Sequence, residues 1–271
     1  MADFVPERDG DARWNDVQAS ATATLASLVW HLGEVERARL LIQEAIRRAR
    51  ELGHAATLVQ VLLWNAILEI RRDDVAAARL AADALIKLAE EHGINLYTVI
   101  GQMCAYWASG RLVDPEAGAS GLRQALQAYM AQGNKAEAPF FHGMLAELEA
   151  ATRGPESALT LIDQGLTIAE ETGGRSMEPY LHRLRGDILL KRDPADPAPA
   201  EDAYRTAIAI AKQQGARSYE LLASLSLAKL YQLTGRIADA HAVLAPALEG
   251  FAPTSEMPEI TEALALMERL A

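Results

Sequence analysis

Five helix-like runs in this chain each close on a glycine: "RARELG", "LAEEHG", "YMAQG", "IAEETG" and "AKQQG". The glycines are Gly53, Gly93, Gly133, Gly173 and Gly215, at steps of 40, 40, 40 and 42 residues. A fixed period of this length marks a chain built from stacked supersecondary units. Glycine directly after an apolar-periodic run ends a helix, because it enters the left-handed conformation at little cost.

Small residues keep the same register. One column reads Ala38, Ala78, Gly118, Ala158, Ala200, Ala240, and a second reads Ala45, Leu85, Ala125, Gly165, Ala207, Ala247. A third reads Ala26, Ala66, Tyr106, Ala146, Gly186, Ala228. Such columns let two helices cross closely, since no long side chain stands between their axes. The irregular step falls at "KRDPADPAPA" (191–200), where the prolines interrupt helix and lengthen a turn. Breaks within pairs are expected near residues 33, 73, 113, 153, 195 and 235.

Composition agrees with helix throughout. Half of the 271 residues are hydrophobic and only 6% aromatic, and no stretch alternates strictly as a half-buried strand would. Cys104 is the single cysteine; its apolar neighbours in "IGQMCAYWAS" predict a buried, inert thiol in a reducing compartment. Neither a signal peptide nor a membrane-spanning run is evident, so a cytoplasmic location is expected. With 26 Lys and Arg against 37 Asp and Glu, the net charge of -11 disfavours nucleic acid, whose affinity rests on cationic contacts. The basic "RRAR" (47–50) reads as a solvated face.

Two stretches invite a catalytic or metal reading. Pro139, Phe140 and His142 stand 40 residues before Pro179, Tyr180 and His182. Two histidines without a nearby third ligand make a poor zinc site, whereas proline in the first helical turn is at home. The pair is therefore read as repeat register. Phosphate-loop, dinucleotide and nucleophile-elbow motifs are all absent, and the carboxylate pairs Glu90–Glu91 and Glu170–Glu171 end helices on solvent-facing positions. No catalytic residue, cofactor or metal is assigned, and the chain is read as a non-enzyme.

The Ala/Gly columns, with "LVWHLGEVERARLLIQEAIRRA" and "LAKLYQLTGRIADAHAVLAPAL", resemble the tetratricopeptide repeat (TPR), with turn glycines at Gly33 and Gly235. The usual repeat has about 34 residues; the longer one here implies longer helices. Departures are Leu85 and Tyr106 in small-residue columns and the missing turn glycine in repeats two and three. HEAT-type repeats run near this length but lack the Ala/Gly signature. The resemblance implies an all-α, right-handed superhelix, an elongated coil of six hairpins spanning 12–254 (12–53, 54–93, 94–133, 134–173, 174–215, 216–254). A capping helix at 255–271 follows, with Ser255 at its N-cap and one stripe of Ile260, Leu264 and Met267. Residues 1–11 are expected to be disordered.

A narrower resemblance rests on 179–251, which is similar to the C-terminal region of large bacterial regulators. These carry a cyclase or DNA-binding domain, an AAA-type ATPase and then TPRs. The family's cyclase carboxylates and nucleotide loop have no counterpart here. The resemblance implies a docking module for a protein, a peptide or an adjoining ATPase or cyclase domain. The helical-repeat region of the maltose-system activator family implies the alternative, a small-molecule inducer sensor. Sequence alone leaves the oligomeric state open.

In TPRs the first helix of each pair lines the concave face. Transferring that register places Trp30, His31, Ile67, Arg71, Trp107, Arg111, Phe140, Glu147, Tyr180, Arg183, Asp187 and Lys191 there. This mixture of aromatics and arginines is typical of binding hot spots. The expected groove runs past Trp107, Phe140, Tyr180 and Arg183, with Trp30, Arg71, Arg111, Asp187 and Lys191 along it.

Overall fold

The computed structural model describes residues 17–270. It contains thirteen α-helices and, among the described residues, no strand. Six antiparallel pairs follow in order: α1 (Val17–His31) with α2 (Val35–Leu52), α3 (Ala55–Arg71) with α4 (Val75–Glu91), and α5 (Asn95–Leu112) with α6 (Pro115–Ala131). Then come α7 (Ala138–Thr152) with α8 (Pro155–Thr172), α9 (Glu178–Arg192) with α10 (Ala198–Gln214), and α11 (Arg217–Leu233) with α12 (Ile237–Leu248). The last helix is α13 (Pro258–Leu270). The breaks fall at all six expected places. The fold is an all-α superhelix of helical hairpins, with the odd-numbered helices stacked along its inner wall and the even-numbered ones outside. The expected tail 1–11 lies outside the described residues.

Local chemistry explains where each helix stops. Gly53, Gly93, Gly133, Gly173 and Gly215 all have φ between 65° and 83°, the left-handed form that closes a helix. Asp73 fills the turn position that lacks glycine in repeat two, with φ 53°, a conformation that short polar side chains tolerate better than most. Pro139 and Pro179 sit in the first turns of α7 and α9, as expected from their spacing.

The small columns are the hairpin crossings. Ala38, Ala78, Ala158, Ala200 and Ala240 are wholly buried, as are Ala66, Ala146, Ala207 and Ala228. Where a column carries a large residue, a glycine opposite makes room. Tyr106 departs from its column and stays partly exposed, and its ring lies so close to Gly121 that an added Cβ there would meet it at 2.4 Å. Leu85 likewise sits against Gly101, and the Tyr204 ring against Gly186. Size is thus conserved per crossing rather than per position, as close packing requires.

The coil is tighter than the elongated one expected. Its first repeat meets its last: Ser218 Oγ donates to the Trp30 carbonyl at 2.5 Å, and the Trp30 and Tyr219 rings lie edge to face at 5.3 Å. Arg72, which caps the end of α3, joins this closure by pairing with Glu256 at 2.9 Å just ahead of α13. The sequence reading of α13 also needs correction. Its first residue is Pro258, whose fixed φ suits a helix start, so Ser255 lies in the preceding turn and is not the N-cap. Ile260, Ala263, Leu266 and Leu270 form its buried face, with Leu264 and Met267 at the margin.

Candidate functional site

Closure of the coil leaves a partly open cavity of about 510 Å³ on the concave side. All nine residues of the expected groove line it: Trp30, Arg71, Trp107, Arg111, Phe140, Tyr180, Arg183, Asp187 and Lys191. Glu147 joins them. Ile67 does not; it is buried in the wall. His31 stands behind the wall, its ring against Trp30 and Tyr219 and its Nδ1 2.7 Å from the Ser27 carbonyl.

The aromatics differ from expectation in exposure. Trp30 and Trp107 are 1% exposed, Phe140 2% and Tyr180 8%. They form a packed floor, not a row of free anchors. Phe140 contacts Tyr180 at 5.8 Å between centroids, and Tyr180 reaches Tyr219 at 6.4 Å. Arginines cover this floor. Arg71 lies 5.6 Å from the Trp30 ring centre and 5.8 Å from that of Phe140; Arg111 lies 5.2 Å from Trp107. Such cation–ring contacts gain strength where water is excluded.

Carboxylates then fix Arg111, from the repeats on either side, and Arg183, from its own helix. Glu147 accepts from Trp107 Nε1 at 2.8 Å and from the Tyr180 hydroxyl at 3.2 Å, with Arg111 at 3.7 Å. Burial pushes its carboxyl above the ordinary range, against the pull of the Trp107 N–H, Arg183 and Arg111. Arg111 also holds Asp73 at 3.0 Å, Arg183 holds Asp187 at 2.7 Å, and the Tyr204 hydroxyl donates to Asp187 at 2.7 Å. Glu259 and Glu262 enter from α13, Glu262 pairing with Lys229 at 2.7 Å. Burial, and secondarily Asp73, raise the Glu259 carboxyl.

Sequence reasoning missed Tyr219, Asp73, Glu259 and Lys229. Lys229 was recoverable: it continues the column Trp107, Glu147, Asp187 once the two-residue insertion is counted. Tyr219 and Glu259 reach the cavity because the coil closes, which no local pattern encodes.

Three other features stand apart. A groove of about 700 Å³ runs over the outer side beside α6 and α8, where Arg123 pairs with Glu149 and Ser157 donates to the same carboxylate. Cys104 is fully buried, and burial lifts its thiol to about 12. His142 is buried with Nδ1 2.7 Å from the Ala138 carbonyl, an internal tie of its own helix.

Fold and site together define a helical-repeat protein with a concave cavity. No protein-family model matches the chain. An uncharacterized protein of Rhizobium meliloti (strain 1021) is 22% identical over 222 residues, which cover 82% of this chain and 22% of that protein. The chain thus spans about a fifth of that relative's length. Among solved structures, the apo form of RapI superposes with a TM-score of 0.60 at 12% identity, covering 95% of this chain and 87% of RapI. That likeness concerns the fold. No helix among the described residues is long and apolar enough to cross a membrane.

Proposed function

We propose that this chain is a non-catalytic regulatory docking module, the TPR-type region of a bacterial signalling protein, working in the cytoplasm on a protein, a peptide or an adjoining ATPase or cyclase domain. One observation carries the reading: helices of every repeat converge on a single concave surface rich in arginine and aromatic rings. No side chain there carries a nucleophile–base arrangement, so the surface is suited to recognition. The relative of which this chain matches a fifth supports the view that such a unit operates beside other domains. The residues that meet a partner are those at the rim, Arg111 and Lys191 foremost, because the rings beneath them are packed. The test is affinity capture of a binding protein, repeated with Arg111→Ala and Lys191→Ala combined. Exposed pairs contribute about 0–1 kcal/mol to stability, so the fold should persist, while capture should weaken at least roughly tenfold. Unchanged capture would remove the rim from the interface.

A second reading, inducer sensing, is favoured by the cavity itself. Its volume of about 510 Å³ lies within the roughly 300–1,000 Å³ typical of small-molecule pockets.

A further inference from the structure

The cavity contains the same structural phrase twice, once complete and once lacking a part. In both, an arginine lies over a tryptophan: Arg111 over Trp107 of its own helix at 5.2 Å, and Arg71 over Trp30 of the preceding repeat at 5.6 Å. Beside the first pair stands Glu147, which accepts the Trp107 indole N–H at 2.8 Å and faces the Arg111 guanidinium at 3.7 Å. Among the described residues, no carboxylate reaches ion-pair distance of Arg71 in the second pair. Arg71 has no ion pair among the described residues; its Nη1 donates to Ser27 Oγ at 2.6 Å, and its Nε is buried without an acceptor. Trp30 Nε1 is also buried without an acceptor. The remaining neighbours are uncharged: the Phe140 ring, His31, and Tyr219, whose hydroxyl is the other polar partner of Arg71.

Burying the Nε of a half-buried guanidinium without a counter-charge, and an indole N–H without an acceptor, is unfavourable. An arginine offers five N–H donors in a planar fork that matches a carboxylate. The cavity as a whole is not an anion trap, because five cationic and five acidic side chains line it. The imbalance is local to Arg71.

We propose that the cavity takes an organic carboxylate whose anionic group lies against Arg71 and Trp30 Nε1, in the role that Glu147 fills beside Arg111 and Trp107. The ligand's apolar body packs on Phe140, Tyr180 and Tyr219. This rests on the sensing reading and gives it a ligand class. The carboxylate comes from a free small acid or from a peptide chain terminus, and the two sources are separable.

Thermal melting of the whole chain is followed with two probe pairs at matched ionic strength: phenylacetate against phenylacetamide, and a random tripeptide mixture with free against amidated C-termini. The acid of at least one pair should raise the melting temperature and its amide should not; the responding pair names the source. Titration calorimetry with that acid should then show roughly ten- to hundredfold weaker binding by Arg71→Met, the loss expected for a charge-assisted hydrogen bond. Arg71→Met should itself melt close to the wild-type temperature without ligand, since it removes a half-buried charge that has no ion pair among the described residues. Trp30→Phe, which keeps a ring and removes the donor, should weaken binding several-fold and serves where Arg71→Met does not fold. The proposal is overturned if neither acid outperforms its amide, or if the variants respond like wild type. Protein capture by the rim would survive that result, so the docking reading fails or stands on its own test.

Discussion

Gly118→Ala should be among the most damaging single-methyl additions to this protein, although alanine occupies the equivalent position in the other five repeats. Gly118 lies where α6 crosses α5. A Cβ added there meets Gly110 Cα at 2.4 Å, Gly110 N at 2.7 Å and the Tyr106 carbonyl oxygen at 2.7 Å. All three are backbone atoms, so relief requires the two helices to part by about 1 Å to restore ordinary contact. Overpacking of this kind costs about 1–3 kcal/mol, and the rigid neighbours place it at the upper end. Alanine returns roughly 0.8–1 kcal/mol of helix propensity, leaving a net loss of about 2 kcal/mol. For a chain of this size, that is a drop of roughly 4–8 °C in melting temperature. Gly165→Ala is the matched control. Its Cβ meets side-chain atoms instead, His142 Cβ and Leu181 Cδ1, both at 3.2 Å. A shift of a few tenths of an ångström by Leu181 offsets the propensity gain, so this variant should melt close to wild type. Gly165→Leu has no such room and should lose about 1–3 kcal/mol. Circular-dichroism melts of the three variants decide the matter. If Gly118→Ala and Gly165→Ala melt alike, the close α5–α6 crossing and the compensation argument built on it are wrong.

Other consequences are open to measurement. Burial and the Arg71 charge lower His31 to about 3, so its stabilising contribution is complete above pH 6.5 and is lost as pH falls below that value. In the window from pH 6 to 4 the wild type should lose about 1.4 kcal/mol per pH unit more than His31→Gln in urea titrations, by proton linkage; equal slopes would show that His31 is not held neutral. Asp73→Gly should be neutral or stabilising by up to about 1 kcal/mol, because glycine accepts the left-handed conformation freely and the Arg111 pair it removes is half-exposed. Asp73→Val, β-branched at positive φ, should be clearly destabilising, and a neutral result would remove the turn from the explanation.

Much of this architecture was legible because it is periodic. The glycine step placed every hairpin, and the alanine columns placed every crossing, since both reflect constraints local to one unit. The same register carried Trp30, Arg71, Trp107, Arg111, Phe140, Tyr180, Arg183, Asp187 and Lys191 onto one face. What the pattern could not supply was their exposure. Whether a concave ring is open or packed depends on the small rotation between successive repeats, summed over the coil, and no residue encodes that sum. The closure brings Tyr219 under Trp30 and Glu256 onto Arg72, converting an open trough into a cavity. The start of α13 was misread for a different reason: Ser255 has the right side chain for a cap, but Pro258 sets where helix begins.

A double-mutant cycle between Arg72 and Glu256 tests that closure most directly. The two are 184 residues apart in sequence and pair at 2.9 Å, with 9% and 20% of their side chains exposed. Stabilities of wild type, Arg72→Met, Glu256→Gln and the double variant, from urea unfolding, give their coupling energy. A closed coil predicts a favourable coupling within the roughly 0.5–3 kcal/mol seen for contacting residues; additivity to within about 0.3 kcal/mol would mean that the ends do not meet and the cavity is an open groove.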